Sequence, residues 1–564
     1  MGFSVFPCIP VDDKTGTFTS MDKEADLRSP SPSPSEKEES DVAGSVFLIS
    51  ERGELLRLPI PSTSPRDPLA WTWFTRITSF VFLVIFAAFC SVTFNLPSVT
   101  LPGLENEFPN QTEKLFTVKS LNSAMTLFTS IGYLIAIPCS IAVGRRPVVL
   151  VTAALMSLMV LWGGLAGDFW QLMVATCFQG LSVGSALGMC SLMVMDATFI
   201  HERPYAFSIF FAVSNALVSI MLMPVPWIFD PTTQWRPLYQ VWFGPCLAQL
   251  AVAVFFLPET YFVRPAIALD GRVLVQSSSE KVQIYENWEA MPCGPHCPHM
   301  NHLVETAGPS KWAQRLKVQR APGTSWKGAG ATWLQIVLCV TNPLLVWVSL
   351  LAAAVLSGSI FIGLVLPDHL LRTLDGKELE MYSIYLGLSG ILGSLLAIPA
   401  TGPLITWCIK YFTKHSGGTR HAEVYLPGFV LPVISGALSV GLFGLAKKHD
   451  WSTATFYLSS ALSSFSFVAA NVAVILWITE AFQPWAASSL ALQQFTANIV
   501  AFGVGVNLLA WVNHDDAELS IVVIVTLILI FGAFAVPVAF YGKTVRQYLH
   551  GRWSESEKGA IRPH

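Results

Sequence analysis

The stretch Ile77-Thr78-Ser79-Phe80-Val81-Phe82-Leu83-Val84-Ile85-Phe86-Ala87-Ala88-Phe89-Cys90-Ser91-Val92-Thr93-Phe94-Asn95-Leu96 runs without a single charged side chain. A helix needs about 20 mostly apolar residues to cross the hydrocarbon core of a bilayer, and this run meets that length. It belongs to a segment at about 72–96, and comparable segments follow at about 117–141, 147–166, 169–196, 204–229 and 236–258. Six more lie at about 334–365, 380–408, 424–447, 451–477, 486–512 and 518–542. Composition points the same way: 52% hydrophobic and 13% charged residues with a mean hydropathy of +0.53 lie outside the range of soluble chains. The solvent of this chain is lipid.

Polar segments divide the spans. Met1 to Ala70 carries the run Ser29-Pro30-Ser31-Pro32-Ser33-Pro34-Ser35 and has no apolar core of the kind a secretory signal requires, so it reads as a disordered tail. Pro258 to Trp333 holds eight Lys or Arg residues and no span-length apolar run. The expected organisation is an all-α membrane protein of about twelve transmembrane helices in two six-helix bundles. Its parts are a tail at 1–70, a bundle at 71–258, a central loop at 259–333, a second bundle at 334–542 and a tail at 543–564. Two bundles of this kind place a substrate near the bilayer midplane, where rocking exposes it to each side in turn.

Charge excludes one class of partner and orients the chain. With 34 basic against 37 acidic residues there is no basic face for nucleic acid. Lys and Arg in the short loops divide nearly evenly. The flanking Arg57, Arg66, Arg76, Lys543, Arg546 and Arg552 tip the balance toward the side of the two termini, which therefore reads as cytoplasmic. The sequon Asn110-Gln111-Thr112 falls on the other side, so Asn110 is the expected glycosylation site. A multi-pass protein of the plasma membrane is the expectation, with a vacuolar or other endomembrane as the alternative. Seven cysteines fall inside spans and none in an external loop, so no external disulfide is expected.

Several motifs resemble one family, the major facilitator superfamily, and within it the fungal twelve-span drug:proton antiporter type. After span two comes Gly144-Arg145-Arg146-Pro147, similar to the basic end of the family's loop signature. Span four carries Phe178-Gln179-Gly180 and ends in Asp196-Ala197-Thr198-Phe199-Ile200-His201-Glu202-Arg203, which resembles the fungal D-x-x-F-x-H-E-R run. Leu257-Pro258-Glu259-Thr260-Tyr261 closes span six, and Gly402-Pro403 precedes Gly417-Gly418-Thr419-Arg420-His421-Ala422-Glu423 in the second half. The resemblance implies two bundles related by a pseudo-two-fold axis, a small organic substrate, Gly144, Arg145 and Arg146 as a gating loop, and no enzymatic activity. Departures accompany it. Ile137 and Ile141 replace the signature's glycine and aspartate, Thr406 replaces the second-half aspartate, and Thr176 replaces the span-four arginine. Met223-Pro224-Val225-Pro226 stands where the antiporters have a glycine-rich motif. The gating contacts must therefore differ, and proton antiport does not carry over from the resemblance.

An ionisable group in the middle of a span costs about 2.5–3.5 kcal/mol on insertion scales, so the few near the spans are informative. Asp196 and Glu480 are the proton-coupling candidates, Asp196 otherwise belonging to a charge cluster with Glu202 and Arg203, and Glu480 to a helix end. Recognition falls to uncharged hydrogen bonders, and Asn95, Gln179, Ser182, Asn215, Gln493, Gln494 and Asn498 are the substrate-path candidates. Gln494 and Asn498 are four apart and share a helix face. Glycines 180, 184 and 188 make a smooth stripe that lets another helix come close. The cluster Cys293-Gly294-Pro295-His296-Cys297-Pro298-His299-Met300-Asn301-His302 fits no common zinc module, so neither metal nor cofactor is expected. No phosphate loop or hydrolase motif occurs. Export of a drug or secondary metabolite is the leading reading. Uptake of a nutrient such as a polyamine or amino acid, by symport or uniport, and a non-transporting receptor of the same fold stay open, as does the role of protons.

Overall fold

The computed structural model describes residues 46–47, 67–109, 117–229, 235–262, 273–276, 282–285, 320–321, 324–373, 376–415, 419–420, 422–482, 485–513 and 517–553. The sequon at Asn110 and the cysteine–histidine cluster at 293–302 lie outside the described residues, as does most of the tail before Asp67. The long helices are α1 (Trp73–Val99), α2 (Ser120–Val143), α3 (Arg145–Gly164), α4 (Phe169–Asp196), α5 (Arg203–Leu222) and α6 (Trp235–Phe256) in the first half. In the second half they are α7 (Pro343–Thr373), α8 (Gly376–His415), α9 (Val430–Lys448), α10 (Thr453–Ala481), α11 (Ala486–Asn513) and α12 (Ala517–Ala533). The last continues, after a 42° bend, into α13 (Ala535–Trp553). Among the described residues, eleven helices are long and apolar enough to cross a membrane, or up to twelve with the bent pair as one. Helices suit this solvent because each satisfies its own backbone polar groups where no water is available.

The packing repeats with a shift of six. Helix α4 lies along α2, α3 and α1, as α10 lies along α8, α9 and α7. Helix α3 packs on α6 as α9 packs on α12, and α1 on α5 as α7 on α11. The contacts between halves obey the same rule: α5 meets α8, and adding six to each partner gives α11 with α2, which is the other seam. This is the pseudo-two-fold arrangement of two six-helix bundles. The glycine stripe of α4 finds its partner in α2, where a Cβ on Gly184 would strike the Thr129 carbonyl and one on Gly188 would lie 3.0 Å from the Tyr133 ring. Helix α8 uses Gly393 in the same way against the Ala461 carbonyl of α10.

The start of the seventh span differs from its expected place near residue 334. Trp326–Cys339 is a separate helix, and α7 begins only at Pro343. The break lies in Val340-Thr341-Asn342, where the Asn342 carboxamide oxygen accepts the Leu344 amide at 3.0 Å and Pro343 opens the helix without an amide to satisfy. Among the described residues there are also short helices and two short antiparallel ladders, Val46–Phe47 with Thr419–Arg420 and Val273–Gln276 with Val282–Tyr285.

All the pairs Arg76–Glu202, Arg145–Asp196, Arg203–Glu480 and Arg546–Glu423 gather at one end of the bundle. There α1 begins, α6 and α12 finish and α7 starts, and it is called here the loop end. Glu107–Arg236, Lys119–Glu105 and Lys448–Glu518 mark the opposite end.

Candidate transport path at the seam between the halves

Helices α5 and α8 run antiparallel, and small residues recur along α8 at Ser383, Gly387, Gly390, Ser394, Ala397 and Thr401, spacings of three, four and seven that fall on one face. Each meets α5. Trp227, just beyond α5, donates its indole N–H to Ser383 Oγ at 3.3 Å, and Met223 presses its methyl within 2.8 Å of where a Gly387 Cβ would stand. Ser219 Oγ lies 2.7 Å from the corresponding point on Gly390. Asn215 Nδ2 donates to Ser394 Oγ at 2.7 Å, and the Ser394 hydroxyl donates in turn to the Gly390 carbonyl at 2.7 Å. Ala212 and Ala397 are buried together beside Val468. Thr401 and Ser208 bond hydroxyl to hydroxyl at 2.7 Å. On its α8 side the seam is thus lined from Ser383 to Thr401 by side chains too small to hold the helices apart. Across α2 and α11 the Ser123 hydroxyl lies 3.9 Å from the point a Gly505 Cβ would occupy.

The residues singled out in the sequence take different places. Asn215 crosses the seam. Gln494 and Asn498 do share a face of α11, the Asn498 amide donating to the Gln494 carbonyl at 2.9 Å, with Gln493 buried beside them. Asn95 turns back on the Ser91 carbonyl and Ser182 on that of Phe178. Gln179 faces into the first bundle, donating to the Met159 carbonyl of α3 at 2.8 Å. Ser394, Thr401 and Ser208 carry the seam but look in the sequence like ordinary small residues of an apolar run. For Ser394 and Thr401 the signal is the regular spacing along α8; Ser208 on α5 has none.

At the loop end Asp196, Glu202 and Arg203 each take a partner from another part of the chain. Asp196 closes α4 beside the start of α3 and receives Arg145 Nε at 3.3 Å, while Glu202 receives Arg76 at 2.6 Å. Arg203 opens α5 and reaches across the halves to Glu480 at 3.4 Å. Glu480 sits in the last turn of α10 and is almost fully buried, not beyond the span. The place left by the missing aspartate at Ile141 is taken from another direction. Glu259, just past α6, accepts the Arg145 amide at 2.9 Å with one oxygen and the Arg146 amide at 3.1 Å with the other, capping α3. Burial pushes its carboxyl above the ordinary range, against the pull of the Tyr261, Arg145 and Arg146 amides. Gly144 makes the cap possible: its φ of +119° is open to glycine, and a Cβ there would come within 2.6 Å of Glu259 Oε2.

At the opposite end Glu107 takes two hydrogen bonds from Arg236, at 2.7 and 2.6 Å, and one from the Trp235 indole at 2.6 Å. Arg236 also reaches the Ala166 carbonyl, so the clamp joins three connections of the first half alone.

A family model described as Major Facilitator Superfamily matches residues 81–506. An MFS-type transporter of Schizosaccharomyces pombe is 20% identical over 555 residues, covering 91% of each chain. Protein HOL1 of Saccharomyces cerevisiae is 19% identical, covering 88% of this chain and 91% of its own. Among solved structures, the proton:xylose symporter XylE bound to 6-bromo-6-deoxy-D-glucose superposes with a TM-score of 0.51 at 14% identity, over 82% of this chain and 96% of that one. The human organic anion transporter MFSD10 does so with a TM-score of 0.50 at 15% identity, over 82% of this chain and 100% of the other. At these identities the structural likeness is one of fold.

Proposed function

Because the chain belongs to the major facilitator superfamily, we propose that it moves a neutral or amphipathic small organic solute, a drug or secondary metabolite leaving the cell, by alternating access across the α5·α8 and α2·α11 seams. One observation carries the choice of cargo: the middles of all twelve spans are free of Asp, Glu, Lys, Arg and His. A bare ion entering such a path finds little to replace its water. Asn95, Asn215, Ser182, Gln493, Gln494 and Asn498 supply uncharged donors and acceptors at these depths; Gln179 belongs to the reading only if α3 and α4 part. A transport assay across a panel of neutral, cationic and dianionic solutes tests this, scoring resistance, accumulation and pH dependence together in a deletion strain. Fastest transport of a dianion sinks it.

A second reading, uptake of a cationic nutrient such as a polyamine or an amino acid, is favoured by Asp196 and Glu480. Each could meet a cation or a proton once Arg145 or Arg203 lets go. Replacing both carboxylates by their amides abolishes pH-coupled transport in that case and leaves a neutral uniport unaffected. The loop end is proposed to be cytoplasmic and the membrane the plasma membrane. A glycosidase-sensitive mobility shift that requires Asn110 supports this orientation, and a glycan added at a site engineered into the central segment overturns it.

A further inference from the structure

The helix Trp326–Cys339 begins and ends at the same level of the molecule. Ahead of it, the Ala321 amide donates to the Val143 carbonyl at 3.0 Å and the Ser325 amide to that of Ile141 at 3.3 Å. Arg320 Nε donates to the Ala142 carbonyl at 2.9 Å. Three carbonyls that the end of α2 leaves without helical partners are thereby satisfied. Behind it, Asn342 caps the start of α7. Both α2 and α7 reach the loop end at these points, so the helix between them, about 21 Å long at 1.5 Å per residue, lies along the membrane plane and not across it.

Its two faces differ. Ala329, Thr332, Gln335, Ile336 and Cys339 are buried. The helix packs on α2 and on α11. Ser488 of α11 donates its hydroxyl to the Gln335 carboxamide oxygen at 3.0 Å, and Cys339 Sγ lies 3.7 Å from Ser489 Oγ. The helix therefore joins the first half to the second over the end of one seam. Turned away are Trp326 at 66% exposed, Trp333 at 41%, Leu334 at 59% and Val337 at 62%. Their spacings of seven, eight and eleven put them on one face. A row of two tryptophans and two aliphatic side chains, lying flat at the level where spans end, has the composition of an interfacial helix.

We propose that the outer face of Trp326–Cys339 is seated in the boundary between headgroups and acyl chains of the leaflet at the loop end, its inner face bridging α2 and α11, so that the bilayer itself braces the α2·α11 seam. Opening that seam at the loop end then requires the helix to shift within the lipid or to give up Ser488.

Photocrosslinking tests the lipid contact without reference to cargo or direction, so it stands or falls apart from the proposed function. The full chain carrying benzoylphenylalanine at Leu334 or at Val337 is irradiated in phosphatidylcholine–phosphatidylglycerol vesicles, with Thr332 on the inner face as control. The expected result is a peptide heavier by one phospholipid at 334 and at 337, and a protein adduct at 332. Adducts at 334 and 337 to peptides from the central segment, or none at all, overturn the proposal. A second measurement addresses the brace: Trp333→Ser with Leu334→Ser should raise amide exchange several-fold in the first turns of α11 while the α5·α8 seam stays unchanged. Unchanged exchange in α11 removes the bracing role even where lipid adducts form.

Discussion

Arg203 and Glu480 meet at the loop end with side chains only 8% and 3% exposed, and they join the two halves. At the opposite end Arg236 and Glu107 meet at 33% and 35%, and both belong to the first half. Alternating access moves the halves against each other, so a contact between them is broken and remade in each cycle while one inside a half travels as part of a rigid body. In water the breaking of an ion pair is nearly neutral; in a buried place it leaves charges without compensation. Under the proposed alternating access, the contrast makes Arg203–Glu480 the switching contact and Glu107–Arg236 a fixed cover.

The strongest way to break the comparison is Arg203→Leu. It takes the guanidinium away from the buried Glu480 carboxyl and should lower thermal stability in detergent by about 3–5 kcal/mol, whereas Arg203→Leu with Glu480→Leu should recover most of the loss. If the single variant melts like the parent, burial at the loop end has no energetic meaning. Next in size is Glu259→Ala, which removes the acceptor of two α3 amides; a loss of about 1–2 kcal/mol is expected from the helix cap, read from the same melting curve. Retention of full stability would show that water caps α3 equally well. Arg236→Ala, at the exposed clamp, should cost only about 0.2–1 kcal/mol, and a larger loss would erase the distinction between the ends.

The smallest effect sharpens the contrast by sign. Hydrogen bonds from Arg236 hold the Glu107 carboxyl below the ordinary 4.5, so the stability it contributes is present above that value and is lost as pH falls through its lowered folded value. Burial holds Glu259 above 4.5, so its ionised form is penalised in the fold, and that penalty fades as pH falls through the raised value. Amide protection, corrected for intrinsic exchange, should therefore rise in the first turn of α3 on mild acidification. It should fall in Leu101–Glu107 only at lower pH. Glu259→Gln and Glu107→Gln should each cancel their own arm, and a common direction for both ends would contradict the assignment.

The spans and their two groups of six were legible because lipid imposes a length and a polarity that each segment shows alone. The division near residue 340 was not, since Val337-Leu338-Cys339-Val340 stays apolar while the cap that interrupts it is a single asparagine before a proline. Glu480 and Asp196 stood out as charges beside apolar runs. Their partners did not, because Arg203 and Glu480 lie 277 positions apart and only the docking of the halves brings them together. Gln179 shows the reverse limit: an amide in the middle of a span looks the same whether it faces a path or, as here, a neighbouring helix. The α8 stripe from Ser383 to Thr401 was readable as a face, but nothing in its spacing named α5 as the surface it meets.

That pairing also restricts how the halves can travel. Met223 fills the notch at Gly387 and Ser219 the one at Gly390, so moving α5 lengthwise by a helical turn, about 5.4 Å, would take both side chains out of the notches they fill at once. Translation along the seam therefore disrupts both contacts together, as sliding a rack disengages its teeth, whereas a rotation about it need not. A side chain at Gly387 would meet Met223 within 2.8 Å, so under the proposed alternating access it would act as a mechanical stop that alters no polar group.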